Sequence, residues 1–383
     1  MADYEALVGP EVVVDGAVLT DHGVIVGDGR IAAVLPTTEL PAGIARRDLG
    51  SGLLTPGLID VHTHGAAGHS FNEESAEAHE LALSAYLSAG VTTILPTIAA
   101  APMPGMLEAL ETIRQVKGTP GLPRIAGAHL EGPYFSQAQR GAQDPRVLRA
   151  PSDGSIESLL EFADVIRMVS FAPELPGAVA LTKRLTSLGI IAAAGHSDAR
   201  DSDLFMCQAE GLSHIIHVFS GQSTTIRSGP WRQPGLLEAS LTSDDLTVEM
   251  IADGKHLPAT LMKLIIRCLL GRVCLVSDST PGAGMPNGST YRMGEQDFLV
   301  ENGVGVTLDR SSFGGSTTLI SDMLPIVAAL GVAIPDVVAM ATAVPAAAMK
   351  LEDVGRIAPG FQADFALFDH EFSLQAVGLA GKW

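Results

Sequence analysis

The apolar positions of the first fifty residues come in short runs at residues 11–14, 24–26 and 31–35, whose lengths and β-branched content read as strands. Asp28-Gly29 lies between the last two and supplies a hairpin turn, because both residue types tolerate positive φ. From Leu53 the texture changes. Short apolar runs alternate with helical stretches, the pattern of parallel strands joined by crossover helices. Eight such strands are expected, at residues 58–62, 92–96, 125–130, 165–171, 190–194, 214–219, 247–251 and 273–277. Helices are expected at 77–89, 106–116 and 258–270, the last opening on Pro258, where a first-turn proline loses no hydrogen bond. Eight strands close a β/α barrel, and an open doubly wound sheet is the competing architecture.

Beyond Pro281 the chain reads as a glycine-rich loop, a hairpin-like stretch at 291–308 and a helix pair near 320–330 and 335–349. Strand chemistry returns at 354–368, where Ala366-Leu367-Phe368 is an apolar run able to pair with the N-terminal strands. The expected organisation is therefore a small β-sandwich domain from residues 1–53 and 354–383, carried on an α/β (β/α)8 barrel at 54–353. No internal repeat or low-complexity tract interrupts it.

Composition narrows the function. Lysine and arginine number 24 against 43 aspartates and glutamates, a net charge of −19 that argues against nucleic acid or anionic lipid as partners. No apolar run reaches the ~18 residues that span a bilayer, and the first residues lack a basic, then hydrophobic leader, so a cytoplasmic location is expected. Cys207, Cys268 and Cys274 match no zinc or redox spacing and are expected to be reduced and mostly buried.

The chemistry sits where the expected barrel strands end, and in a barrel those ends form the functional rim. The first strand ends in Asp60-Val61-His62-Thr63-His64, and alternation puts His62 and His64 on one face about 6–7 Å apart, able to share a cation. The third ends in His129-Leu130-Glu131-Gly132-Pro133, the fifth in Gly195-His196-Ser197-Asp198, the sixth in His214-Ile215-Ile216-His217 and the eighth in Val276-Ser277-Asp278. Each offers a ligand. Imidazole and carboxylate together suit Zn²⁺ or Fe²⁺, and Glu131 could bridge two such ions. A cation held there would acidify water and polarise a carbonyl, and Asp278 could take the proton and return it to a departing amine. Asp60 is a candidate to orient a ligand from behind. His129 shares the direction of Glu131 but could simply fill the barrel mouth. His22, His69, His79, His214 and His370 carry no site reading.

These residues carry a family likeness. The segments Pro56-Gly57-Leu58-Ile59-Asp60-Val61-His62-Thr63-His64-Gly65, His129-Leu130-Glu131-Gly132-Pro133, Ala194-Gly195-His196-Ser197, Ile251-Ala252-Asp253-Gly254-Lys255-His256 and Leu275-Val276-Ser277-Asp278 stand in an order and spacing that resembles the amidohydrolase superfamily, and within it the N-acetylglucosamine-6-phosphate deacetylase family. The resemblance spans nearly the whole chain. It implies hydrolysis of an acetamido sugar phosphate to acetate and the amino sugar phosphate. It also implies that Glu131, His196 and His217 hold the principal metal and that Asp278 is the acid/base. The retained His62 and His64 would allow a second metal with Glu131 as bridge, so one or two ions per subunit are expected. By the same resemblance His256 contacts substrate, and Arg232 reaches the phosphate of a neighbouring subunit's substrate, which implies a homodimer. Two positions depart from the family pattern. Phe219 is followed by Ser220-Gly221-Gln222 where relatives carry Asn-Ala-Met, leaving backbone amides to meet phosphate, and Gln143 stands where relatives have a histidine. Glutamine donates a hydrogen bond but carries no proton. Reaction type is thus more firmly implied than the sugar.

Two other functions are weighed. A cyclic-amide hydrolase of the superfamily would carry a carbamylated lysine after the fourth strand, but Ser170-Phe171-Ala172-Pro173-Glu174 has none. A silent sugar-binding barrel would have no use for Asp278 above a metal.

Overall fold

The computed structural model describes residues 4–383. Eight parallel strands run in the order Leu58–Thr63, Val91–Ala99, Ala128–Glu131, Ile166–Phe171, Ile191–Ala194, His214–Ile215, Thr247–Met250 and Val273–Leu275. No ladder joins the last strand to the first. The ring is drawn shut there by the Asp278 amide donating to His62 O at 2.9 Å and the Ser277 amide donating to Asp60 Oδ1 at 3.2 Å. The outcome is a nearly closed barrel. Its strands read as continuous apolar runs because both faces are covered: all nine residues of Val91–Ala99 are buried. The flanking helices sit at the expected places. Ala76–Ser88 starts at Ser75, whose hydroxyl accepts from the Ala78 amide, and Pro258 lies at the cap of Ala259–Leu269, one residue before the expected helical position.

Several elements differ from the sequence reading. The sixth strand stops at Ile215, because His217 and Phe219 take φ of 22° and 76° and turn the chain out of extended geometry. The second of the paired helices is two, Ile334–Met340 and Ala343–Ala348, broken where Ala341 and Thr342 leave helical geometry. The hairpin-like stretch is a four-stranded antiparallel sheet of Thr290–Met293, Gln296–Glu301, Val304–Thr307 and Phe313–Ser316. Cys207 and Cys274 are buried and Cys268 is exposed, all three free.

The chain ends build two small sheets. One orders Arg30–Pro36, His22–Gly27, Glu5–Val8 and Ala45–Asp48, and the other Leu374–Gly378, Phe365–Phe368, Leu53–Pro56, Glu11–Val14 and Ala17–Leu19. Leu7, Val24 and Ile31 of the first pack with Val12, Leu54 and Phe365 of the second in one apolar cluster. Leu53–Pro56 pairs antiparallel with Phe365–Phe368 immediately before the barrel begins at Leu58. Tail and head are thereby tied into one sandwich on the barrel.

Candidate metal centre

Glu131, the last residue of the third barrel strand, is the hub of the barrel mouth. Its Oε1 lies 3.1 Å from His196 Nε2, 3.0 Å from His217 Nε2 and 3.6 Å from His62 Nε2, and its Oε2 lies 3.4 Å from His64 Nε2. Asp278 Oδ1 approaches the opposite side, 3.6 Å from His62 Nε2 and 3.4 Å from His64 Nε2. All six side chains are buried or nearly so. Three of them leave their strands through left-handed backbone, with φ of 44° at His196, 22° at His217 and 44° at Asp278. Such conformations cost a non-glycine residue about 1–3 kcal/mol and collect where function over-determines the backbone.

The electrostatics follow from burial and neighbours. Burial alone would raise the Glu131 carboxyl, but His196, His217 and His64 hold it well below the usual carboxylate range. Asp278 is likewise pushed up by burial and brought below its ordinary value by His64, His62 and His217, so it stands ionised and able to accept a proton. Burial disfavours the His62 imidazolium, yet Glu249, Asp278 and Glu131 raise it to about 10. The cavity therefore favours positive charge at its centre.

That surplus suits a divalent cation. His62-Glu131-His217 and His62-His64-Asp278 each present ligand atoms within 4.8 Å of one another, and His62 Nε2 is buried with no hydrogen-bond partner. The His196 Nδ1–H donates to Gln139 O at 2.9 Å, which leaves its Nε2 lone pair aimed at the hub. Nitrogen and carboxylate donors in this mixture fit Zn²⁺ or Fe²⁺.

The remaining expected residues fall differently. His256 lines the same cleft, about 210 Å³ in free volume, with its Nδ1 bonded to Asp253 Oδ2 at 2.7 Å. Gln143 also lines it, its amide donating to Glu131 Oε2 at 2.6 Å. Gly221 forms part of the wall, and a Cβ there would stand 2.7 Å from His196 Nδ1. Gln222 is turned away: its amide donates to Ile216 O and accepts from the Phe219 amide, so it folds the loop. Arg232 lies on an exposed hairpin of Ile226–Ser228 and Trp231–Gln233, outside the cleft of its own chain. Asp60 accepts from the Ser277 and His62 amides and serves barrel closure rather than an imidazole. His129 is held by Thr97 and Ser170 inside the barrel, so it packs behind the site.

Two residues escaped the sequence reading. Glu249 on the seventh strand is fully buried and bonds the back of His62 at 2.7 Å. Its signal was available: a glutamate at the centre of the apolar run Thr247-Val248-Glu249-Met250-Ile251 needs a buried partner. Glu174 holds the loop after His196 by accepting from the Ser197 hydroxyl at 2.7 Å and the Asp198 amide at 2.6 Å. Nothing local marks it, since a glutamate after a strand is an ordinary surface residue.

The comparisons agree with this geometry. Residues 53–383 match the amidohydrolase family and residues 6–54 the NagA composite domain. The chain is 29% identical over 368 residues to N-acetylgalactosamine-6-phosphate deacetylase of Escherichia coli O157:H7, covering 95% of each chain. It is 30% identical over 338 residues to N-acetylglucosamine-6-phosphate deacetylase of Vibrio furnissii, covering 87% of this chain and 83% of the relative. The crystal structure of N-acetylglucosamine-6-phosphate deacetylase from Pasteurella multocida superposes with a TM-score of 0.92 at 26% identity over 99% of both chains. An aspartate-to-alanine mutant of the Mycobacterium smegmatis deacetylase, in complex with N-acetyl-D-glucosamine-6-phosphate, superposes with a TM-score of 0.91 at 29% identity over 100% of this chain and 99% of that one. With a barrel, an imidazole–carboxylate centre at its mouth and these matches together, the chain belongs to the amidohydrolase superfamily and, within it, to the N-acetylglucosamine-6-phosphate deacetylase family.

Proposed function

We propose that this protein hydrolyses the acetamide of an N-acetyl amino sugar phosphate, foremost N-acetylglucosamine 6-phosphate, to acetate and the amino sugar phosphate. The observation that carries this reading is the convergence of His62, His64, His196 and His217 on Glu131 at the mouth of the barrel, with Asp278 against His62 and His64. Glu131, His196 and His217 would hold one divalent cation, Zn²⁺ or Fe²⁺, and His62 and His64 with Glu131 or Asp278 a second. When bound, a cation in such a site supplies Lewis-acid polarisation of the amide carbonyl and acidifies a water. The Asp278 carboxylate, kept ionised by its histidine neighbours, accepts the proton as water attacks and delivers it to the departing nitrogen, whose loss as an amide anion would be prohibitive. His256, anchored through Nδ1 by Asp253, presents its other face to the cleft as a substrate contact. Gln143 and the wall at Gly221 complete the sugar subsite.

Phosphate recognition is assigned to the backbone around Ser220-Gly221 and to Arg232 of a partner subunit, making the active form a homodimer. The support is negative space: among the described residues no lysine or arginine lines the cleft, while the hairpin bearing Arg232 is exposed. Gln222 has no part in this, its amide being spent within the loop. The division into a terminal sandwich at 1–53 with 354–383 and a barrel at 54–353 belongs to the same reading. So does a cytoplasmic location, for which the free cysteines and the lack, among the described residues, of any helix able to cross a membrane are support. A galactosamine substrate is the second reading, favoured by the Escherichia coli relative.

The test is acetate release from N-acetylated glucosamine and galactosamine, each with and without 6-phosphate, on protein of measured metal content. Preference for a 6-phosphate sugar is expected. Absence of acetate release from all four would overturn the reading.

A further inference from the structure

The Glu249 carboxylate is wholly buried in the seventh strand, yet among the described residues no lysine or arginine bonds it and it does not face the cleft. Its contacts are three N–H groups. Oε2 accepts from His62 Nδ1 at 2.7 Å and from the His217 backbone amide at 3.0 Å, and Oε1 accepts from His214 Nε2 at 3.0 Å. The unpartnered atoms are as informative: His62 Nε2 and His214 Nδ1 are both buried without hydrogen bonds. With ring protons on His62 Nδ1 and His214 Nε2, both imidazoles donate to Glu249, one to each carboxylate oxygen. His62 Nε2 lies between Glu131 Oε1 and Asp278 Oδ1, each 3.6 Å away, where its lone pair would become available once a cation displaced the proton that these carboxylates favour.

We propose that Glu249 is the positioning residue of the second cation position: it locks His62 in the tautomer whose Nε2 can ligate, and His214 holds Glu249 in place from behind. This deepens the two-cation reading given above and rests on it. The physical reason is that an imidazole offers a lone pair at one nitrogen only if the other keeps the proton, and a carboxylate fixed behind the ring decides which. Serine or threonine could orient the ring, but a carboxylate also raises the basicity of the ligating nitrogen. One anion here also couples the first strand to the sixth, because the same Oε2 that receives His62 receives the His217 amide. Burying an uncompensated glutamate would be costly, and the three donors offset that cost.

The experiment titrates metal-free protein with Co²⁺ and reads stoichiometry, affinity and the d–d absorption of each equivalent, for the wild type, Glu249→Gln and His62→Gln. Glutamine keeps the size of the side chain and one acceptor for His62, and can donate to His214 if that ring changes tautomer. Expected are two equivalents in the wild type, with the weaker one lost in His62→Gln and weakened ~10–100-fold in Glu249→Gln, while the tighter one stays within a few-fold in both. In the double variant, the glutamine at position 249 should have no further effect. Unchanged affinity for both equivalents in a folded Glu249→Gln protein would overturn the proposal. Should that variant not fold, His62→Gln decides: two undiminished equivalents there would show that His62 is no ligand and that Glu249 positions nothing. A wild type that takes up one equivalent also overturns the proposal, while leaving acetate release from the sugar panel to judge the hydrolase reading.

Discussion

Gly221 offers a sharp test of how tightly the metal centre is built. Its φ is +58°, and a Cβ at that position would lie 2.7 Å from His196 Nδ1 and 2.8 Å from Gln139 O, the two atoms that hydrogen-bond to each other at 2.9 Å. Alanine therefore carries two penalties. The left-handed backbone costs about 1–2 kcal/mol for a residue with a Cβ. The overlap must then be relieved by moving the imidazole off Gln139, which forfeits a hydrogen bond and strands a largely buried polar group at about 1–3 kcal/mol. The total is about 2–5 kcal/mol. Gly154 separates the two contributions, since its φ is +81° and a methyl added there would meet no heavy atom within 4 Å, so Gly154→Ala carries the backbone cost alone. Thermal unfolding of metal-free protein should place Gly221→Ala roughly 1–4 °C below Gly154→Ala. Divalent-cation affinity should fall only in Gly221→Ala, because only there is a ligand displaced. Equal melting temperatures and equal cation affinity for the two variants would refute the claim that this wall sets the His196 ring.

Three further outcomes are expected. Asp278→Asn should lower the rate of acetate release about 10²–10⁴-fold, since the amide cannot shuttle a proton, and turnover equal to the wild type would remove Asp278 from the mechanism. His79, buried with its Nε2 bonded to Glu73 O, is pushed down to about 4 by burial. Its folded value lies below the unfolded ~6.5, so its share of stability is complete above pH 6.5 and falls as pH drops toward 4, by roughly 3 kcal/mol; His79→Gln should flatten that limb of a urea-denaturation pH profile. Leu54→Ala, in the cluster shared by the two terminal sheets, should destabilise the protein by about 2–5 kcal/mol, and a loss below about 1 kcal/mol by denaturant titration would contradict a single packed sandwich.

Much of the site was readable because its marks are local. A His-X-His pair at a strand end needs only the two-residue alternation of a strand, and a carboxylate at the end of the third strand needs only its place after an apolar run. The same locality explains the misses. Gln222 and Gly221 are neighbours in one loop, yet one amide folds back on Ile216 O while the other residue walls the cleft, a difference of backbone turn that composition does not encode. Asp60 sits beside the histidines in sequence and still bonds the backbone of the segment that follows the eighth strand.

By itself the sequence determined roughly where most strands and helices fall and which side chains follow most strand ends, because hydrophobic period and turn chemistry act over a few residues. Only the tertiary structure decided who meets whom. His62 and Glu249 are 187 residues apart and touch because a nearly closed ring of eight strands gives each inward-facing residue a fixed height and angle. The same closure brings Asp278 against His62 and leaves Arg232 on an outer hairpin, away from the chemistry of its own chain.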